Sequence, residues 1–196
     1  MAYSPCSSSV TKNIAASCGS PIVGGYTGRA VLIPTGDAVF TISGTNDHMV
    51  TTIALASGKK AIAVNNVFAE PFTGSTTASG VDTGRFLHTK TLAFRIPLRG
   101  SDVSKGVVEA LEQSALGFVA ILEKKDKVGD GSFEVVGLQQ GLKVNGDGVS
   151  RDESANGGDI SVTMSCAEPY FEMAFYDTSY ATTLDAFETL YTTNAQ

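Results

Sequence analysis

Two segments of the chain alternate apolar and polar residues with a period of two, the pattern of a β-strand that buries one face. One lies within residues 91–98 and the other within residues 160–165. The apolar positions are Leu92, Phe94, Ile96 and Leu98 in the first segment and Ile160, Val162 and Met164 in the second. We therefore expect two half-buried strands, with Pro97 marking an edge or an exit of the first.

Shorter runs rich in β-branched and aromatic residues predict further strands, because turn-forming residues bound each of them. The segment 49–65 is typical of a β-hairpin, with Ser-Gly-Lys-Lys at residues 57–60 as its turn. The remaining candidate strands cover residues 26–34, 37–43, 118–125, 133–145 and 170–177. The chain is thus expected to hold about seven to nine strands.

Helical periodicity is clearest in residues 101–117, which predict one central helix near residues 102–116. Ser101 or Asp102 is expected to cap its start, and Gly117 to follow its end. Its apolar positions are Val103, Val107, Val108, Leu111 and Ala115.

A second helical pattern lies near the C-terminus, at Leu184, Phe187, Leu190 and Tyr191. An isolated helix this short is marginal in water. It therefore needs a partner, either the body of its own chain or a neighbouring molecule.

The remaining segments are polar and carry no clear periodicity. Two long Gly/Ser/Thr-rich loops are expected at residues 70–84 and 146–159. The predicted fold is mainly β, a β-sandwich or open barrel with one central α-helix packed on it, plus N- and C-terminal arms. The predicted division is an N-terminal arm at 1–20, a core domain at 21–177 and a C-terminal extension at 178–196.

Composition and charge are those of a folded acidic protein. The chain has 196 residues, 42% of them hydrophobic, and a net charge of −6, so it is long enough to bury a core. Residues 1–98 hold seven basic and four acidic residues, a net +3, whereas residues 99–196 hold seven and sixteen, a net −9. An acidic chain is poorly suited to binding nucleic-acid phosphates. The difference in charge between the two halves favours head-to-tail contact between copies. No signal peptide or membrane-spanning run is recognised.

Candidate chemistry is sparse. The two histidines, His48 and His88, stand apart, and neither belongs to a cluster with metal-ligand spacing. Cys6 and Cys18 lie in no Cys-x-x-Cys motif, although a disulfide between them stays open. Cys166 follows the strand pattern of a small buried residue. We therefore assign no catalytic, cofactor-binding or metal-binding residue and expect no enzyme activity.

Three stretches resemble phage tail tube proteins, the major tail proteins of phages that infect Bacteroidetes-type hosts. Residues 9–34 resemble their opening, a Lys-Asn-Ile, Cys and Gly-Gly entry before an apolar first strand. Residues 137–175 resemble their C-terminal half, and the strand–helix–strand centre resembles their plan of one helix on a β-sandwich. The resemblance implies a structural protein of the virion tail, synthesised in the host cytoplasm.

That resemblance implies rings, usually hexameric, that stack head to tail around a lumen. The lumen is commonly acidic, so that DNA passes through without sequence-specific binding. The resemblance also implies ring-stacking contacts in residues 1–20 and 70–84. It implies lumen strands around residues 92–98 and 160–164. Residues 168–196 would bridge to the next ring, a sheath or a chaperone. The partners are thus further copies of the chain and other virion proteins, with no membrane and no cofactor.

The residues themselves leave other functions open. A long acidic tail exceeds what a minimal tube subunit needs, which leaves a head, neck, collar or capsid-decorating ring protein as the second reading. A non-catalytic binding β-sandwich is the third, although the chain has no Trp for a sugar-stacking platform. An enzyme that uses Asp or Glu as acid and base ranks last, because nothing in the sequence selects one pair.

Overall fold

The computed structural model describes residues 24–65, 75–80, 86–97, 100–127, 129–151, 158–171 and 173–192. These residues form eleven strands in two sheets, together with two longer helical segments. The predicted fold class, a mainly β sandwich or open barrel with a helix packed on it, is confirmed. The N-terminal arm predicted at residues 1–20, with Cys6 and Cys18, lies outside the described residues.

The strands divide between a large sheet of seven and a small sheet of four. The large sheet consists of β1 Tyr26–Pro34, β2 Ala38–Ile42, β3 Met49–Leu55, β4 Ile62–Asn65, β7 Phe118–Lys124, β8 Phe133–Val136 and β11 Met173–Phe175. The small sheet consists of β5 Ser75–Gly80, β6 Phe86–Ile96, β9 Lys143–Arg151 and β10 Ile160–Glu168. Their orders are β2-β3-β11-β8-β7-β1-β4 and β5-β6-β10-β9.

Three layers result, because the large sheet buries both of its faces. The first six residues of β7 are all buried, as expected for a strand covered on both sides. Phe118, Ala120 and Leu122 face the small sheet, whereas Val119 and Ile121 belong to a second apolar cluster that contains the C-terminal helix.

The two strands predicted from strict alternation are neighbours in the small sheet. β6 and β10 are antiparallel, with Phe94 opposite Val162 and Leu92 opposite Met164. Their apolar positions are buried against the large sheet, which confirms the predicted half-buried strands. Leu98 lies outside the described residues.

Chain connectivity shows that the large sheet is strongly curved. Pro34 ends β1 and Ala38 begins β2. The short connection allows these two residues to be at most about 14 Å apart in space. In a flat sheet five strand spacings, about 24 Å, would separate β1 from β2. The sheet closes this distance by curling, and Asp37 N–H donates to the Pro34 carbonyl while Ala56 N–H donates to the Asp37 carbonyl. The result is an open barrel whose inner face holds the C-terminal helix.

The central helix, predicted near 102–116, runs through three segments: Ser101–Val103, a π-helical stretch Ser104–Val108, and Glu109–Glu112. Its apolar face packs on the core between the sheets. The predicted ends are wrong. Gly100 occupies the N-cap without a side-chain cap bond, and the helix ends at Glu112, so Gly117 belongs to the turn before β7.

The C-terminal helix spans Tyr180–Thr192 and lies against the body of its own chain. Ser179 caps its start, since the Thr182 N–H donates to the Ser179 hydroxyl. Phe187 is fully buried, and Leu190 is 6% exposed. Of the two possible partners of this helix, the structure therefore shows the chain's own sheet. No described helix is both long enough and apolar enough to cross a membrane.

The predicted hairpin over residues 49–65 is wrong, although both of its strands exist. β3 pairs with β2 and β11, whereas β4 pairs with β1 near the opposite end of the sheet. The hairpin observed is β2–β3, with Phe40 opposite Ile53. Periodicity identified the strands, but it carries no information about which strands pair.

The two predicted polar loops also need correction. Within residues 70–84 the chain forms β5, which pairs along its length with β6. Within residues 146–159 the strand β9 continues to Arg151, and residues 152–157 lie outside the described part. Both strands are built by backbone hydrogen bonds in polar sequence, where apolar alternation gives no signal.

Candidate functional site

The small sheet is open at both edges within the described residues. There β5 pairs only with β6, and β9 pairs only with β10. Each outer strand therefore has one side that no other described strand pairs with, and such a side can accept a further strand. Both strands predicted to line a lumen, within 92–98 and 160–164, lie in the middle of this sheet.

The outward face of the small sheet carries small polar side chains. Thr89, Thr91, Ala93, Ser161, Thr163 and Ser165 alternate with the core-facing residues of β6 and β10. Arg95 and Lys143 are exposed and share this face by register. No acidic side chain occupies it at any position whose side chain is described. This part of the face therefore differs from the acidic lumen that the family resemblance implies.

A further edge is β2, which with β4 is one of the two outermost described strands of the large sheet. Its Val39 and Ile42 are 67% and 45% exposed, and residues 38–46 contain no charged side chain. Edge strands of monomeric proteins are usually protected by charge, proline or a bulge that turns them away. A Thr41/Ile42 register shift is present, yet the apolar side chains remain accessible. This edge is suited to contact with another protein surface.

A polar cluster around Arg29 fastens the C-terminal helix to the sheet. Arg29 lies on β1, and its Nε is 3.0 Å from Glu123 Oε2 on β7, while its Nη2 is 2.6 Å from Glu188 Oε1 on the helix. The guanidinium also lies over the rings of Phe187 and Tyr191, at 5.2 and 5.0 Å from their centroids. Burial alone lowers the pKa of Arg29, but the contact with Glu188 and the nearby carboxylates raise it above the ordinary value. The group is a permanent cation that joins strand to helix.

A neighbouring buried carboxylate, Glu134 on β8, has its own partners. Lys124 Nζ lies 2.8 Å from Glu134 Oε2, and the Tyr26 hydroxyl donates to the same oxygen at 2.9 Å. The Glu134 side chain is only 4% exposed. Together with the Arg29 cluster, these contacts tie β1, β7 and β8 together at one end of the large sheet. We assign them a structural role.

A further ion pair lies between the sheets. Lys90 on β6 and Glu168 on β10 are 2.7 Å apart, Nζ to Oε2, and each side chain is 3% exposed. The other carboxylate oxygen, Glu168 Oε1, accepts the backbone N–H groups of Gln139 and Gln140. This pair was not predicted from the sequence. The burial of Lys90 could have been predicted, because Lys90 lies on the same core-facing side of the alternating strand as Leu92 and Phe94.

The two histidines are held apart by consecutive aromatic residues. Tyr170 contacts His48 edge-on at 5.4 Å between ring centroids, and Phe171 contacts His88 in the same way at 5.5 Å. His48 also lies 2.7 Å from the Asp47 carboxylate. Tyr170 thus contacts a histidine in the turn before β3, and Phe171 contacts a histidine on β6, without bringing the two imidazoles into one site.

The described residues give no arrangement for metal binding. Among them, no group of three His, Cys, Asp or Glu residues stands close enough to hold an ion. Cys166 is a free, half-buried thiol, and burial together with the nearby Glu168 raises its pKa to about 12. A thiol that stays protonated is a poor nucleophile. The expectation that the chain is not an enzyme stays a prediction.

The charge difference between the two halves of the sequence does not map onto two ends of the fold. The N-terminal half supplies β5 and β6 to the small sheet and the C-terminal half supplies β9 and β10, and both halves also contribute to the large sheet. The halves therefore interleave. The asymmetry does not by itself give the molecule one positive and one negative pole.

Comparison with protein-family models, with curated proteins and with solved structures gives no match to this chain.

Proposed function

We propose that this protein is a structural component of a phage virion, a tail tube subunit whose rings stack into a conduit for DNA ejection. The observation that carries the proposal is the four-stranded small sheet. It is open at both edges among the described strands, and it contains both strands that the sequence resemblance assigns to a lumen. The family resemblance of residues 9–34 and 137–175 supplies the biological setting.

Ring formation follows from joining the two different edges of that sheet. When β5 of one copy pairs with β9 of the next, the contact is heterologous, because it uses two unlike surfaces. A heterologous contact repeats until it closes, so it yields a ring when the rotation allows closure. Backbone hydrogen bonds supply the register, which suits strands as polar as β5.

The face presented to the lumen would be the outward face of the small sheet. Its Ser, Thr and Ala side chains are short, so they would form a smooth wall. The chain as a whole carries −6, which opposes adhesion of DNA phosphates within about 10 Å of the surface at moderate salt. The positive charges of Arg95 and Lys143 would locally attract DNA phosphates and so oppose this repulsion.

The β2 edge supplies a second contact between copies. Val39 and Ile42 present apolar surface without charge, and burying it against a neighbouring copy would be favourable. The N-terminal arm stays proposed as a contact between stacked rings, and so do the parts of residues 70–84 that lie outside β5. The C-terminal helix uses its apolar face within its own chain, so any bridge by residues 168–196 would use its exposed positions.

The proposal is tested by assembly of the purified full chain. Negative-stain electron microscopy and light scattering, over a range of concentrations, should show rings that stack into tubes. A protein that stays monomeric at high concentration, even with tail-tip nucleators added, would contradict it.

A second candidate is a ring component of the head, neck or collar, or a capsid-decorating protein. The observation that favours it is the basic character of the described small-sheet face at Arg95 and Lys143. Such a protein would give rings of one fixed size that never stack. The same images distinguish the two candidates.

A further inference from the structure

Lys90 and Glu168 place an amine and a carboxyl group in direct contact inside the sandwich. Their Nζ and Oε2 atoms are 2.7 Å apart, and only 3% of each side chain is exposed. In each of the other ion pairs among the described residues, at least one partner has a side chain that is 30% exposed or more. Water is thus largely excluded from this pair, and maintaining two full charges there carries a desolvation cost.

The neighbouring thiol of Cys166 also lies where burial disfavours a charged form. Cys166 lies opposite Lys90 in the β6–β10 register. Burial is the largest cause that raises the pKa of its thiol to about 12. A reaction that removes both charges of the Lys90–Glu168 pair would relieve the same penalty.

The carboxyl group of Glu168 is held as an acyl group is held in an oxyanion hole. Its Oε1 accepts the N–H of Gln139 at 2.6 Å and that of Gln140 at 3.2 Å. Two backbone donors aimed at one oxygen stabilise the negative charge that develops there during attack on the carbon.

The turn that carries these donors is fixed in place. Gly137 has φ 82°, and a Cβ at this position would lie 2.8 Å from the Phe118 carbonyl oxygen. The turn therefore passes too close to β7 to admit a side chain at Gly137. The donors are positioned before any reaction begins.

We infer that Lys90 and Glu168 form an intramolecular amide bond between β6 and β10. A proton first passes from Nζ to Oε2 across their contact, which leaves an amine beside a carboxylic acid. The Nζ lone pair then attacks Glu168 Cδ, and Oε1 takes the negative charge while Gln139 and Gln140 donate to it.

The Cδ–Oε2 bond then breaks. Oε2 leaves as water, carrying the transferred proton and a second proton from Nζ, and the Cδ–Oε1 double bond re-forms. One ammonium and one carboxylate thus give one amide and one water, with no oxidant or other reactant. Contact between the reacting groups supplies the proximity that such condensations need.

The bond would join residues 78 positions apart in sequence and tie together the two middle strands of the small sheet. A cross-link over a loop this long restricts the unfolded chain strongly. This inference does not depend on ring assembly, since the reacting groups all belong to one chain.

Mass spectrometry of the denatured full chain tests the bond. The intact mass should fall below the sequence mass by one water. Trypsin does not cut after a lysine whose amine is acylated, so the digest should contain residues 86–95 joined to residues 152–196, at the sum of their masses less one water. The Lys124–Glu134 pair, 2.8 Å apart with a 30% exposed lysine side chain, is the internal control and should be cleaved normally.

The Lys90→Met variant removes the nucleophile and should show the full sequence mass and no joined peptide. If this variant does not fold, the wild-type digest still decides the question. A wild-type chain that keeps its full mass after prolonged incubation in the folded state, with normal cleavage after Lys90, overturns the inference. Loss of water at another site, such as the Asp130–Gly131 pair, with normal cleavage after Lys90 also overturns it.

Discussion

Arg29 on β1 and Glu188 on the C-terminal helix form an ion pair, with 2.6 Å between Nη2 and Oε1. The same guanidinium reaches Glu123, whose side chain is only 5% exposed. One arginine thus connects the large sheet with the helix that fills its inner face, and it does so beside the rings of Phe187 and Tyr191.

Replacing this arginine should destabilise the fold. Arg29→Met keeps much of the aliphatic stem but leaves Glu123 without its closest cation, so we expect a loss of about 2–3 kcal/mol in the free energy of unfolding. The matched control, Glu188→Gln, removes only the more exposed partner and should cost about 0.5 kcal/mol or less. Urea denaturation of both variants gives the comparison, and equal losses would contradict the assigned role of Glu123.

The C-terminal helix is predicted to be part of the core. Phe187→Ala should lower the free energy of unfolding by about 3–5 kcal/mol, because the Phe187 ring is fully buried. The control Thr182→Ala changes an exposed position of the first turn and should cost much less. Denaturation of the dilute monomer is the measurement. A Phe187→Ala chain of unchanged stability would show that the helix serves another molecule.

The β2 edge is predicted to act in association and not in folding. Val39→Lys places a charge on a side chain that is 67% exposed, so unfolding should change by no more than about 0.5 kcal/mol. Association measured by light scattering should weaken, since a charge would be buried at the contact. Leu116→Lys is the matched control, because Leu116 is 64% exposed and belongs to the turn before β7, not to β2. Equal association of both variants would exclude β2 from the interface.

Stability should fall with rising pH through Cys166. Below pH 9 the thiol is protonated in both states, but above its ordinary pKa of 9.0 it ionises first in the unfolded chain. In the folded chain its pKa is about 12, so between these values the unfolded state holds fewer protons and is favoured as pH rises.

The measurement is the difference in unfolding free energy between the wild type and Cys166→Ser across this pH range. Subtraction removes the contributions of tyrosines and lysines that titrate in the same window. The wild type should lose more stability than the variant as pH rises. Parallel curves would contradict the assigned burial of the thiol.

Periodicity predicted the parts of the fold in which apolar side chains face a core. Leu92 to Ile96, Ile160 to Met164 and the C-terminal helix all follow this rule. It failed where backbone pairing alone builds structure, as in β5, whose Ser, Thr, Ala and Gly residues give no apolar signal. Pairing was also unpredictable: β4 joins β1 and not β3, because curling of the sheet is a property of the whole chain.

The polar sites likewise have features that the sequence could predict and features that it could not. The burial of Lys90 and Glu168 was readable in principle from strand parity, since each occupies an inward position of an alternating strand. Their contact could not be predicted, because Lys90 and Glu168 are diagonal neighbours in the register of β6 and β10. The approach of the Gln139–Gln140 turn depends on Gly137 passing close to β7, a tertiary relationship with no local signature.

Electron cryomicroscopy of the purified full chain at high concentration tests the central proposal most directly. We predict stacked rings in which β5 of one copy pairs with β9 of the next, with the outward face of β6 and β10 turned to the lumen. Particles that remain single subunits, or rings joined through other surfaces with β5 and β9 left unpaired, would contradict it.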